Sequence, residues 1–242
     1  MRYLLLHAFP LDGSMWDQVG AALRAQGHEV IAPDLRGFGA APLGDDDPDL
    51  ERMVDDAIIA LAGEPAIIAG CSLGGYVALG IARRRSDLIA ALALVDTKAT
   101  ADADDARAQR ERVAVLAEAS DGGDSDAWSA GMIDKLLGIT TRAKSPGVVA
   151  RVESCIAAAP GPTVAWAQRA MARRPDARDA LRAIAAPVLV IVGDEDTVSP
   201  MAEQELMLAV APGATLCVIP GAGHLTPLEA PAAVAEALAA LA

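Results

Sequence analysis

Residues 66–83 constrain this chain more than any other stretch. An apolar run of strand length, Ala66-Ile67-Ile68-Ala69, leads into Gly70-Cys71-Ser72-Leu73-Gly74-Gly75 and then into a helix-like segment from Tyr76 to Arg83. A G-x-S-x-G between a strand pattern and a helix pattern reads as a sharp turn that holds a serine hydroxyl exposed. A hydroxyl is a weak nucleophile, so such a serine must sit where a base can reach it. Small residues at 70 and 74 let strand and helix approach, and the first helical turn offers unpaired backbone N–H groups. The stretch is neither G-x-G-x-x-G nor a P-loop, so it lacks the signatures of dinucleotide and phosphate sites.

A parallel strand at this joint requires further strands linked by helices. Runs at 2–7, 29–32, 89–95, 187–192 and 214–219 have the length and continuous apolarity of strands buried on both faces. Helical patterns over 14–26, capped by Ser14, and over 50–61 separate the early runs. Residues 99–182 differ, because charges and alanines dominate and no strand-like run occurs. Four helices are expected there, over 107–118, 126–137, 146–158 and 163–173, with breaks at Gly122-Gly123, Gly138 and Pro160-Gly161-Pro162. A helix over 200–210 and an alanine-rich helix over 227–241 complete the chain. The expected architecture is α/β: a core of residues 1–98 and 183–242 with a helical cap of 99–182 inserted in it.

Composition narrows the partners. The 242 residues are 53% hydrophobic and 22% charged, with a net charge of −13. That balance suits a globular domain and gives no basic surplus for nucleic acid. Cys71, Cys155 and Cys217 are widely spaced and show no metal-ligand pattern, so free thiols are expected. The glycine-interrupted apolar stretch at 65–82 cannot span a membrane, and residues 1–10 lack a signal-peptide pattern. A cytoplasmic protein is expected; the sequence does not speak to its oligomeric state.

A nucleophilic serine needs a base oriented by a carboxylate, and ligand sites in parallel sheets lie at the carboxyl ends of strands. Of three histidines, His28 opens the second strand at its wrong end. His7 ends the first strand and reads as a buried, hydrogen-bonded residue. His224 lies in Pro220-Gly221-Ala222-Gly223-His224, a flexible turn after the last strand that can deliver a ring to Ser72. Asp196, in Gly193-Asp194-Glu195-Asp196, and Asp96 both follow strands, and spacing leaves both open as the acid.

Five stretches together resemble the α/β-hydrolase superfamily: LLLHAFPLDGSMWD at 4–17, APDLRGFG at 32–39, GCSLGG at 70–75, GDEDTVSP at 193–200 and PGAGHLTPLEAP at 220–231. Within it, the chain is similar to the capped group of 3-oxoadipate enol-lactonases, small carboxylesterases and cofactor-free haloperoxidases. The resemblance implies a mostly parallel sheet of about six strands, since the superfamily's N-terminal antiparallel hairpin is missing. It implies Ser72 as nucleophile, His224 as base and Asp196 as acid, with an oxyanion hole from the N–H groups of Phe9 and Leu73. It implies no metal and no organic cofactor. Asp34, Arg36, Gly37 and Gly39 become loop-shaping residues. Ala8 replaces the superfamily's usual glycine before the oxyanion residue and adds a methyl at a sharp turn.

The expected reaction is hydrolysis of a small-molecule ester or lactone. Perhydrolysis or halogenation with the same residues, or slow-turnover ligand reception, are the alternatives. Phe9, Trp16, Trp128, Met132, Trp166 and Leu225 are candidate substrate-binding residues. Lys135, Arg142 and Lys144 are candidate anchors for a carboxylate, and solvated helix faces explain them equally well.

Overall fold

In the computed structural model, which describes residues 1–120, 125–211 and 213–242, the apolar runs pair into a single sheet. Its strands are β1 (Arg2–Leu6), β2 (Glu29–Ile31), β3 (Ala66–Cys71), β4 (Ile89–Val95), β5 (Val188–Gly193) and β6 (Thr215–Ile219). They lie in the order β2-β1-β3-β4-β5-β6, and each neighbouring pair is parallel. Every residue of β3 and β5 is buried, which requires cover on both faces. Each fully buried Leu, Ile or Val side chain in such a layer contributes about 1.5–3 kcal/mol.

The chain steps from β1 outward to β2, then returns to place β3 on the other side of β1. Strand order therefore reverses between β1 and β3, and a crevice opens at their carboxyl ends. Register brings those ends level: Leu6 pairs with Gly70, Cys71 with Val95, Val95 with Ile191, and Gly193 with Ile219. The loops that leave this edge carry residues 7–12, 71–75, 96–99, 194–199 and 220–226.

Helices α1 (Asp17–Ala25), α2 (Leu50–Leu61) and α3 (Leu73–Arg84) link the first four strands. Helix α2 has the expected bounds, its Asp49 side chain accepting the Glu51 N–H at 3.0 Å. The first helix departs from expectation. Asp12, not Ser14, is the cap: it accepts the Ser14 N–H at 2.9 Å and opens a 3₁₀ turn, Gly13–Trp16, before α1 begins.

Between β4 and β5 come α4 (Asp104–Ala119), α5 (Asp126–Ser129), α6 (Met132–Leu136), α7 (Ile139–Lys144), α8 (Pro146–Ala158), α9 (Gly161–Ala172) and α10 (Arg178–Ala183). The helix expected over 126–137 is two, parted by Gly131 in a left-handed conformation (φ +71°). The expected break at Gly122-Gly123 lies outside the described residues. Helices α11 (Met201–Val210), α12 (Thr226–Glu229) and α13 (Pro231–Ala239) follow. The last two were expected as one helix. Pro231 drives the preceding Ala230 out of helical geometry (φ −142°, ψ 58°).

Charge joins the helical block to the sheet. The buried Asp102 carboxylate bonds Arg174 at 2.8 Å and also meets Arg110 and Lys98, while Arg174 stacks 4.0 Å above the Tyr76 ring of α3. Burial alone would raise the Asp102 carboxyl, but Arg174 and Arg110 more than offset it and hold it well below the usual range. On the surface, Arg169 of α9 bridges Glu111 and Glu118 of α4. Among the described residues, no helix is long and apolar enough to cross a membrane.

Candidate active site

Ser72 stands between β3 and α3 with φ +51° and ψ −110°, a conformation that costs a non-glycine residue about 1–3 kcal/mol. Its backbone is held on all sides. The Ser72 N–H donates to Val95 O at 3.0 Å, and its carbonyl accepts from Gly75 N at 2.9 Å and Thr97 Oγ1 at 2.8 Å. The surrounding glycines are required by space. A Cβ at Gly70 would lie 2.2 Å from Gly74 O, and one at Gly74 would lie 2.2 Å from Leu6 O. The side chain is thus raised at the reversal point of the sheet.

His224 reaches that serine from the turn after β6. Its Nε2 lies 2.8 Å from Ser72 Oγ, and its Nδ1 lies 2.9 Å from Asp196 Oδ2. Asp196 follows β5, and its carboxylate accepts Val198 N–H at 2.7 Å, Ser199 N–H at 3.1 Å and Ser199 Oγ–H at 2.5 Å. Burial raises the Asp196 carboxyl, but the His224 charge and these bonds outweigh it and bring it down to about 2. For His224 the contest runs the other way. Burial lowers its proton affinity, while Asp196, then Asp96 and Glu229, raise it above the ordinary imidazole value. An ionised carboxylate fixes the Nδ1–H tautomer and leaves Nε2 as acceptor toward the hydroxyl. A hydroxyl, an imidazole and a carboxylate in one hydrogen-bonded line can take a proton from the hydroxyl as it attacks.

A family model for the alpha/beta hydrolase family matches residues 3–237. The chain belongs to that family. Among curated relatives, a pimeloyl-[acyl-carrier protein] methyl ester esterase of Neisseria meningitidis serogroup C is 31% identical, over 99% of this chain and 91% of that protein. Among solved structures, a thermophilic esterase from Thermogutta terrifontis is 37% identical with a TM-score of 0.92, covering 99% of this chain and 88% of that one. An enol-lactonase from Burkholderia xenovorans LB400 superposes with a TM-score of 0.89 at 23% identity, over 99% and 90% of the two chains; it speaks to the fold.

In this alpha/beta hydrolase, His7 is a structural residue. It is fully buried, its Nε2 accepts the Leu35 N–H at 2.8 Å, and its Nδ1 donates to Ala8 O at 3.0 Å. Burial pushes its proton affinity down to about 4, so the ring stays neutral. The bonds orient the loop after β1, where Ala8 N–H meets Met15 Sδ at 3.1 Å and Leu11 N–H closes onto Ala8 O at 2.9 Å. Phe9 follows on this turn, packed edge-on to Phe38. Leu73 opens α3, where helix geometry leaves its N–H without an intrahelical acceptor. Asp34 shapes the neighbouring loop by accepting Gly13 N–H and Ala40 N–H, each at 2.8 Å.

The substrate-binding candidates scatter. Trp16 and Leu225 have no accessible surface and belong to the core, so neither faces open space in this conformation. Apolar side chains in short connecting segments read as pocket lining in sequence; here both belong to the hydrophobic core cluster. Trp166 is buried against the loop at Asp46, whose carbonyl accepts its indole N–H at 2.8 Å. Trp128 is buried, and Met132 is partly buried against the core. Arg142 is part-buried and pairs through Nη1 with Asp134, while its Nε is buried without a hydrogen-bond partner among the described residues.

Sequence reasoning missed the residues that hold the His224 turn. Glu229 Oε2 accepts Gly223 N–H and Gly138 N–H, each at 2.9 Å, and Oε1 accepts Leu225 N–H at 3.0 Å. One carboxylate thus grips the peptide on both sides of His224 and ties it to the helical block. His224 N–H itself donates to Leu136 O at 3.0 Å. Glu195, next to Asp196, accepts Thr140 N–H at 2.8 Å and Thr140 Oγ1–H at 2.5 Å. Residues 136–140 therefore dock on the two loops that carry Asp196 and His224. A weak signal existed for Glu229, the one carboxylate in His224-Leu225-Thr226-Pro227-Leu228-Glu229-Ala230-Pro231, whereas Glu195 is masked by Asp194 and Asp196 on either side.

Proposed function

We propose that this chain is a serine hydrolase of carboxylic esters or lactones that works through an acyl-enzyme. Ser72 Oγ attacks the carbonyl carbon while His224 Nε2 takes its proton, and Asp196 stabilises the imidazolium. The carbonyl oxygen gathers negative charge beside the N–H groups of Leu73 and Phe9. Collapse of the tetrahedral intermediate expels an alkoxide, which receives the proton from His224. Water then repeats the sequence, releasing the acid and restoring Ser72. The observation that carries this reading is the 2.8 Å and 2.9 Å line from Ser72 through His224 to Asp196, in a family whose full-length relatives include proteins named as esterases.

The helices between β4 and β5 act as the cap, with residues 99–182 governing access to a core of 1–98 and 183–242. An uncharged acyl group is favoured over a charged lactone in that one of the three candidate anchors, Arg142, already bonds Asp134 through Nη1. The relatives named for a methyl ester support a small alcohol as leaving group.

Labelling with a fluorophosphonate probe and turnover of p-nitrophenyl butyrate test the reading. Both are expected in the parent chain, and Ser72→Ala is expected to lose labelling and about 10⁵–10⁶ in turnover. Undiminished labelling of the Ser72→Ala chain refutes the assignment. Halogenation that depends on peroxide, without ester turnover, would replace hydrolysis by perhydrolysis.

A further inference from the structure

We propose that Asp96 is a positioning residue for this reaction: one buried carboxylate that fixes the Asp196 loop and the His224 loop to the end of β4. The proposal rests on the reading of Ser72, His224 and Asp196 given above. Asp96 is not in contact with the reacting atoms, and its bonds reach the chain beside each of them. Its Oδ1 accepts the Gly193 N–H at 3.1 Å, three residues before Asp196. Its Oδ2 accepts Thr226 N–H at 2.8 Å and Thr226 Oγ1–H at 2.7 Å, two residues after His224. Cys71, the residue before Ser72, sets its thiol 3.9 Å from the same oxygen.

Backbone conformation is a second, independent observation. Among the described residues, only Ala62, Ser72 and Asp96 are non-glycine residues with positive φ. Ala62 ends a helix, whereas Ser72 (φ +51°) and Asp96 (φ +45°) follow adjacent strands. Such strain persists only where the surroundings over-determine it, and it gathers at functional sites. Asp96 N–H is anchored on Ile191 O at 2.9 Å, so the strained turn aims the carboxylate across β5 toward the two loops.

The charge of this carboxylate also falls on His224. The titratable groups around it are Cys71 from β3, Asp196 after β5, His224 after β6 and Glu229 from α12. Only His224 can become a cation. Burial and Asp196 push Asp96 up to about 7, while His224 and the Thr226 bonds pull it down. An ionised Asp96 therefore favours the imidazolium that forms when Ser72 gives up its proton. Replacing it with asparagine removes that charge and sets an amide donor against the donors of Thr226 or Gly193. His224 should then bind its proton less tightly.

Asp96→Asn and Thr226→Val decide the matter, with kcat, KM, the pH profile of ester hydrolysis and the ¹⁵N NMR titration of the His224 ring as readouts. For Asp96→Asn, kcat is expected to fall about tenfold or more with KM little changed. The acid limb and the His224 titration should both move to lower pH. Thr226→Val removes one donor, leaves Asp96 more protonated, and should shift both in the same direction by less. Reduced thermal stability with the acid limb and the His224 titration unmoved overturns the proposal. A parent chain without esterase activity would sink the functional reading alone. The NMR titration would still judge Asp96, upholding the proposal if Asp96→Asn shifts it and overturning it if not.

Discussion

The carboxyl edge of the sheet and the helical block above it are held by different chemistry. At the sheet edge, backbone donors and carboxylates do the holding: the buried Asp96 and Asp196 and the half-buried Glu229 between them accept the N–H groups of Gly138, Gly193, Val198, Ser199, Gly223, Leu225 and Thr226. In the block, much of the holding falls to guanidinium–carboxylate pairs such as Arg169 with Glu111 and Glu118. Each of these bonds has a backbone donor that cannot swing away, and a carboxylate that bonds two or three such donors is itself held by them. Long charged side chains at a surface tolerate movement, and water competes for them. Tolerance falls away where the two regions meet, along residues 136–140, where backbone groups again provide the bonds.

If that contrast is sound, damage at the edge should outweigh damage in the block by orders of magnitude. Asp196→Asn removes the charge that fixes the His224 tautomer, and about 10⁴ in kcat should go with it at unchanged fold, measured by ester turnover alongside circular dichroism. Gly74→Ala places a methyl 2.2 Å from a β1 carbonyl that cannot yield. Unfolding by guanidinium should show a loss of about 3 kcal/mol, and a neutral result would mean that the elbow is looser than the glycine contacts imply. At the meeting line, Glu229→Gln trades one acceptor oxygen for a donor that faces Leu225, Gly223 or Gly138. Turnover should drop about tenfold with KM within twofold, a cost of the size expected for one buried donor left unpaired. In the block, Arg169→Met should change stability by about 1 kcal/mol or less and leave kcat alone. An Arg169 effect as large as that of Glu229 would erase the distinction.

The two regions were also unequally legible. Strands buried on both faces have to be continuous apolar runs, so 89–95 could be read residue for residue as β4. Helix α2 could be read because its apolar residues recur at helical spacing over 50–61. The block resisted. Its helices over 139–144 and 178–183 have one to two turns and no stripe to detect. The breaks at Gly138 and Pro160 fall where expected, but the one at Gly131 depends on a left-handed conformation that composition does not reveal. At the site, Ser72, His224 and Asp196 stood out because each residue type is rare or pointedly placed at a strand end, and the structure sets all three in hydrogen-bonding line. Asp96 drew notice for the same reason, as an alternative acid; instead it bonds Thr226 and Gly193. Ser199 and Thr226 went unread because each donates its own N–H and hydroxyl to a buried carboxylate, and Glu229 because it accepts peptide N–H groups; pairings of that kind leave no period or spacing in a sequence. Trp16 and Leu225 are fully buried in the core cluster, and an apolar side chain beside a loop looks the same in sequence whether it lines a pocket or packs into the core.

The bond from His224 N–H to Leu136 O has a practical consequence for engineering. Exchanging the helices between β4 and β5 for those of a relative is an obvious route to new specificity. Here that exchange would also unseat His224, the proposed base, since Leu136 and Gly138 meet the His224 turn through their backbone. A graft that keeps residues 136–140 with the recipient should retain its reactivity while changing its appetite. One that cuts inside them should yield a folded protein that recognises its ester and leaves it intact.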